Sequence, residues 1–153
     1  MKKYLPFLLI LLISGCKLQP IIPSGVQDVK FSNVYIMTGP VNGELGLKIN
    51  NPNNFAVTVY LIELDVTVAG VSMGHVKLED KFKIEKNAES IYPVKISATL
   101  TDLIGGIPKI IAAIQKKQSN VALTGNIRVG SGIFKHTFPI NINQEKVSTS
   151  QKK

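Results

Sequence analysis

The 153-residue chain reads as mainly β, an antiparallel two-sheet sandwich carrying one short α-helix. Three observations predict this class. Apolar residues recur at every second position in most of the chain, one segment alone has helical spacing, and glycine-marked turns separate the runs.

The strands can be taken in order. Leu45, Leu47 and Ile49 alternate with Glu44, Gly46 and Lys48; Val94, Ile96, Ala98 and Leu100 alternate with Lys95, Ser97 and Thr99. Val121, Leu123, Ile127 and Val129 share one face, opposite Thr124, Asn126 and Arg128. One dry side and one wet side is the pattern of antiparallel sheets. The longest run, Phe55 to Val68, changes phase: Phe55, Val57, Val59 and Leu61 hold odd positions, and Ile62, Leu64, Val66 and Val68 hold even ones. A strand changes faces only by gaining a residue, so a β-bulge or a switch of sheet is predicted near Leu61-Ile62. Gly70 and Gly74 are read as turns, and Gly130-Ser131-Gly132 as the hairpin between the last two strands.

The exception is TDLIGGIPKIIAAIQKK, where Leu103, Ile104, Ile107, Ile110, Ile111 and Ile114 follow helical spacing. Gly105-Gly106 oppose one unbroken helix and Pro108 suits a first helical position. The prediction is a turn over 101–104 and a helix from about Ile107 to Lys117. Lys116 and Lys117 complement its carboxyl-terminal dipole, and the helix is expected to cap an open end or edge of the sandwich.

Composition sets the outer bounds. With 44% hydrophobic and 18% charged residues the chain is no disordered, self-repelling polymer. A single cysteine and the absence of a Gly-X-Y period exclude a disulfide scaffold and a collagen. The formal charge of +8 raises nucleic acid and anionic membranes as partners, but Lys2 and Lys3 belong to a separate leader. Without them 16 basic and 10 acidic side chains remain, a dispersed +6. Nucleic-acid binding also lacks stacking aromatics and a dense basic stripe.

That leader is MKKYLPFLLILLISGC. Its apolar run from Leu5 to Ile13 is roughly half the ~20 residues needed to cross a bilayer, so it reads as a secretory signal peptide. Ile13-Ser14-Gly15-Cys16 resembles the bacterial lipobox. That resemblance implies cleavage between Gly15 and Cys16, diacylation (palmitate or a similar acyl chain) of the Cys16 thiol, and acylation of the new amino terminus. Two or three acyl chains anchor stably where one binds marginally. Lys17 follows, where an Asp would by analogy retain the protein at the inner membrane, so an outer-membrane location facing the periplasm is expected. Residues 1–15 are thus a lipoprotein signal and 16–27 a lipidated cysteine with a tether, whose Pro20, Pro23 and Gly25 suit an extended spacer. Residues 28–143 form the domain and 144–153 a polar tail expected to fray.

Catalytic chemistry finds little material. There is no GxSxG elbow, Walker-type loop or HExxH. His136 is placed on an apolar face with Phe134, Phe138, Ile140 and Ile142, as a buried or rim histidine with one hydrogen bond. His75 reads as exposed beside a turn. Two histidines fall short of a zinc site, and no metal, cofactor or small-molecule substrate is expected. Glu63 and Asp65 share a strand face at i, i+2; an acid/base pair there is weighed against a solvated polar face, which explains them with fewer assumptions. Glu79, Asp80, Glu85 and Glu89 interleave with Lys77, Lys81, Lys83 and Lys86 as a soluble mixed-charge hairpin, whose lysines are also placed to graze anionic head groups.

The most distinctive internal string is Ile49-Asn50-Asn51-Pro52-Asn53-Asn54-Phe55. Asn tolerates left-handed backbone and hydrogen-bonds its own chain, and Pro52 ends strand pairing, so this is a specified turn between two strands. With its flanks, LKINNPNNFAVTVYLIELDVTVAGVSMG, it resembles the folded late embryogenesis abundant proteins of type 2, or WHy (water stress and hypersensitive response) domains. IYPVKISATL, a short helix and VALTGNIRVGSGIFKHTFPI are similar to that family's second half. The resemblance implies an immunoglobulin-like or fibronectin III-like β-sandwich with one helix, no catalytic residues, and a protective role in desiccation or other stress. Asn51, Pro52 and Asn53 carry over as its structural signature. The expected protein is therefore non-enzymatic, joined to the membrane by its lipid. A rival expectation is an accessory subunit of an outer-membrane assembly that pairs with a protein partner through an exposed strand edge.

Overall fold

The computed structural model describes residues 18–32, 34, 40–99, 103 and 105–152. The leader, Cys16, Lys17 and, apart from Leu103, the turn expected over 101–104 lie outside them. Its elements are β1 (Pro23–Ser32), β2 (Val41–Asn51), β3 (Val57–Val68), β4 (Val71–Leu78), β5 (Phe82–Ile84), β6 (Ala88–Ala98), α1 (Ile107–Lys116), β7 (Gln118–Ser131) and β8 (Phe134–Gln151).

The alternating residues line the core. Leu45, Leu47, Ile49, Val94, Ile96, Val121, Leu123, Ile127 and Val129 are all buried. The phase change in β3 is a bulge: Val59 faces Val129 and Leu61 faces Arg128, leaving Tyr60 as the extra residue. That shift lets Val57 and Val59 on one side of it, and Ile62, Leu64, Val66 and Val68 on the other, all turn inward. Ala69 and Gly70, with φ of 53° and 73°, make the two-residue turn between β3 and β4. Gly74 is not a turn. It sits inside β4 at φ 83°, where three steps of β4 oppose two of β3, between the Thr67↔Ser72 and Asp65↔His75 pairs. The last hairpin turns through Gly132-Ile133, with Ser131 opposite Phe134.

Helix α1 starts with proline in its first turn and ends at Lys117, whose left-handed backbone (φ 54°) closes it. Ile110 and Ala113 are buried, and the helix packs on the start of β7 and the end of β8, capping one end of the sheet.

The expected pair of separate sheets is replaced by one. Strand order is β4-β3-β7-β8-β1-β2-β6, with β5 added to β3, in a single sheet curled into a half-barrel around the core. The join is a short parallel pairing of β1 with β8, Asp28–Phe31 beside Ser148–Gln151. Just before it, the Gln144 amide mimics a strand. Val26 N donates to Gln144 Oε1 (2.7 Å) and Gln144 Nε2 donates to Val26 O (2.9 Å). The two ends of the sheet, β4 and β6, then approach each other, and Phe82 of β5 stacks on Tyr92 of β6 with ring centroids 4.1 Å apart.

Two assigned boundaries move as a result. The segment read as tether is part of the fold from Leu18 onward: Ile21 is fully buried, Val26 lies in the core, and β1 begins at Pro23. The segment read as a frayed tail is the second half of β8. Val147 and Thr149 are each 1% exposed, and Thr149 Oγ1 shares a 2.7 Å hydrogen bond with Ser119 Oγ, also buried.

Candidate functional site

Asn51 and Asn53 form the most tightly specified polar feature of the described residues. Asn51 ends β2 on its inward face and is fully buried. Its Nδ2 donates to three backbone carbonyls, Phe55 O (2.9 Å), Ile84 O (3.3 Å) and Glu85 O (3.0 Å). Its Oδ1 accepts from Asn53 N (3.1 Å) and Asn53 Nδ2 (3.0 Å). Three facing carbonyls require the amide nitrogen on that side, so the side-chain orientation follows from its partners. An Asp would set an oxygen against three oxygens, and a Gln would be one methylene too long.

Asn53, 2% exposed, passes the network outward. Gln19 N donates to Asn53 Oδ1 (2.7 Å) and Asn53 Nδ2 donates to Gln19 O (3.2 Å), a two-point clip on the incoming chain. On the far side, Asn87 N donates to Asn53 O (3.0 Å). Thus Asn51-Pro52-Asn53 is one buried knot joining the chain entry, the β2–β3 turn and the β5–β6 turn. Its polar groups are satisfied from within the protein, as burial requires, which suits structure and leaves no free valence for a ligand.

The titratable candidates do not converge. Glu63 and Asp65 take different partners: Asp65 Oδ1 lies 2.9 Å from His75 Nδ1 across β3 and β4, and Glu63 stands opposite Lys77. Asp65 and His75 are both well exposed, with side-chain accessibilities of 72% and 57%. His136 is exposed as well, against the expectation of a buried or rim position. It stacks on Phe138 at 6.1 Å, but its face of β8 gains cover only from Phe138 toward Ile140. Among the described residues no three His, Cys, Asp or Glu side chains come together.

An open groove of about 570 Å³ runs between β4 and β6, with Lys30, Lys77, Lys95 and Lys152 along it. Its lysines are largely engaged: Lys30 with Asp28 (3.0 Å), Lys77 with Glu79 (2.7 Å) and Lys152 with Glu44 (3.8 Å). Hydrogen bonding to Asp28 and then its charge raise Lys30 above the ordinary ammonium range, and Glu79 does the same for Lys77. Lys77 in turn holds the Glu79 carboxyl below its ordinary value.

Sequence reading missed Gln144 and the Ser119–Thr149 pair, for which polar residues near the terminus gave no signal. It also missed the exposed apolar tip at Ile133 and Phe134, 89% and 72% accessible. There the signal was present: an isoleucine inside a two-residue turn has no inward side to point to.

No curated protein matches the chain in sequence. A solution structure of a protein from Arabidopsis thaliana is similar at a TM-score of 0.60 and 16% identity, covering 89% of each chain, which shows a shared fold. A crystal structure of a protein from Archaeoglobus fulgidus is aligned at a TM-score of 0.49 and 9% identity, over 81% of this chain and 98% of that one. The family model described as "Late embryogenesis abundant protein" (type 2) matches residues 46–144, from within β2 to Gln144. The chain belongs to the late embryogenesis abundant type 2 family.

Proposed function

We propose that this protein is a lipid-anchored, non-enzymatic β domain of a bacterial envelope membrane that protects proteins or membranes during water stress. The observation that carries the protective role is membership of the late embryogenesis abundant type 2 family across residues 46–144. The scattered, solvated carboxylates and histidines favour a role exercised through surface contacts. Within the family, the asparagine knot followed by the long bulged strand favours the WHy type. Anchoring rests on Ile13-Ser14-Gly15-Cys16, with Cys16 as the acylated residue and Lys17 favouring the outer membrane and its periplasmic face. Deleting the gene and complementing with the parent or with Cys16→Ala tests both parts. The expected result is lower survival after drying and osmotic shock, restored by the parent and not by Cys16→Ala; unchanged survival in the deletion strain rejects the role.

A second reading is favoured by the groove between β4 and β6, where two strand ends of the sheet meet without a hydrogen-bonded ladder. A partner's strand seated there would make this protein an accessory subunit of an envelope assembly. A stoichiometric partner that crosslinks to β4 or β6 supports it, and a monodisperse solitary domain from native membranes counts against it.

A further inference from the structure

One end of the half-barrel gathers three features that are far apart in sequence. Gln19 is clipped to Asn53, the 52–56 turn runs into β3 at Val57, and Thr58 pairs with Gly130, two residues before the β7–β8 turn. The chain entry and the hairpin tip therefore lie at the same end, opposite α1. The four large exposed apolar side chains of the described residues also belong to this half: Ile22 (51%), Ile91 (54%), Ile133 (89%) and Phe134 (72%). Ile22 precedes Pro23, which faces Ile49, and Ile91 faces Lys48, each within three residues of the end of β2. Isolated exposed apolar residues are ordinary, but a one-sided set with its two largest exposures adjacent on a turn marks a contact.

The geometry points to a lipid bilayer as what that tip meets: Ile133 and Phe134 enter the head-group boundary of the membrane that holds Cys16. This inference rests on the anchor reading above and adds an orientation to it. Cys16 stands two residues before Leu18, which packs against the core, and Gln19 is fixed by two hydrogen bonds. Two residues span at most about 7 Å, so the leash leaves the domain no room to turn over. The end that carries the entry must face the lipid, and the tip goes with it. Phe134 and Ile133 suit the boundary layer, and Lys135, whose ammonium lies 4.5 Å from the centre of the Tyr60 ring, can keep its charge in the head groups while its stem follows the tip. Charges at this end are mixed, Lys81, Lys83, Lys86 and Lys135 against Asp80, Glu85 and Glu89, so apolar contact carries the docking and salt weakens it little.

The chain has no tryptophan, which makes the test direct. Phe134→Trp places a sole reporter at the tip, and Gln115→Trp places one on exposed α1 at the opposite end. Each full-length variant is matured in its own membranes, purified and reconstituted into vesicles of phosphatidylethanolamine and phosphatidylglycerol with brominated acyl chains. The tip reporter is expected to shift to the blue and lose most of its emission to the bromines, while the helix reporter stays at its aqueous wavelength and unquenched. Parallel labelling with a radioactive fatty acid, using Cys16→Ala as the blank, reads the anchor separately. Label on Cys16 with a water-exposed tip reporter overturns the docking and leaves the anchor. Quenching without label leaves the docking and removes the anchor. A tip reporter shielded in native membranes but water-exposed in pure lipid assigns the tip to a protein partner and overturns the proposal.

Discussion

Replacing Asn51 with alanine removes five hydrogen bonds from a fully buried site: three to the carbonyls of Phe55, Ile84 and Glu85, and two from Asn53. A buried hydrogen bond contributes about 1 kcal/mol net, and an orphaned buried group costs about 1–3 kcal/mol. The bonds to Phe55 and Glu85 are only part-buried, so the loss sums to about 3–5 kcal/mol rather than the upper limit. At about 3 °C per kcal/mol for a domain of this size, the melting temperature falls by about 10–15 °C. Asn51→Asp sharpens the reasoning, because it keeps the shape and reverses one polarity. The introduced carboxylate faces three carbonyl oxygens, which disfavours its ionised form and raises its folded-state pKa above the unfolded value of about 3.9. Its penalty is therefore full above that folded-state pKa and relieved as pH falls through it, when the acid can donate one hydrogen bond. Thermal unfolding by circular dichroism from pH 7 to pH 4 checks both variants. An Asn51→Ala protein within 1 kcal/mol of the parent, or an Asn51→Asp deficit that does not shrink on acidification, refutes the role given to the knot.

Other expectations follow from single contacts. Gly125→Ala sets a methyl group into the Glu63 carbonyl oxygen of the neighbouring strand, and chemical denaturation is expected to show a loss of about 2–4 kcal/mol. Ending the chain after Gln144 removes Val147 and Thr149 from the core, orphans Ser119 and breaks the β1–β8 pairing; a loss of about 3–6 kcal/mol is expected, most of a small domain's stability. Asn53→Ala releases Gln19, so its amide should exchange with deuterium at least ~10-fold faster while the β7 amides keep their protection. Glu79→Gln breaks the exposed Lys77 pair. Since Lys77 lowers the Glu79 pKa, any stabilisation is present at neutral pH and fades as pH falls through the carboxylate range; screening by water keeps the change in melting temperature within about 1 °C.

The strands that alternate cleanly were legible because each has one dry face, and the parity break in β3 foretold a bulge that falls at Tyr60, one residue from its predicted place. Helix α1 was legible for the same reason, with Pro108 and the following carboxyl-terminal lysines marking its limits. Asn51 and Asn53 could be read as a turn, but not as a clip on Gln19, since that contact spans 34 residues. Strand β1 escaped notice because irregular pairing between Pro23 and Gly25, and between Val26 and Val29, destroys its period of two. The end of β8 escaped because QEKVSTSQ is polar, and its burial depends on Ser119 and Thr149 satisfying each other. The same long-range parallel pairing turned an expected sandwich into one curled sheet. His136 failed in the opposite way: parity gave the correct face, but nothing covers that face at the hairpin tip.

The proposed anchoring at Cys16 would fix both the location of the chain and the orientation of the half-barrel. Intact mass spectrometry of the protein purified from its own membranes measures this in one step. The predicted result is a chain that begins at Cys16 and carries the added mass of a diacylglycerol, with or without a further acyl group on its amino terminus. A chain that begins elsewhere, or that begins at Cys16 with a free thiol, contradicts it.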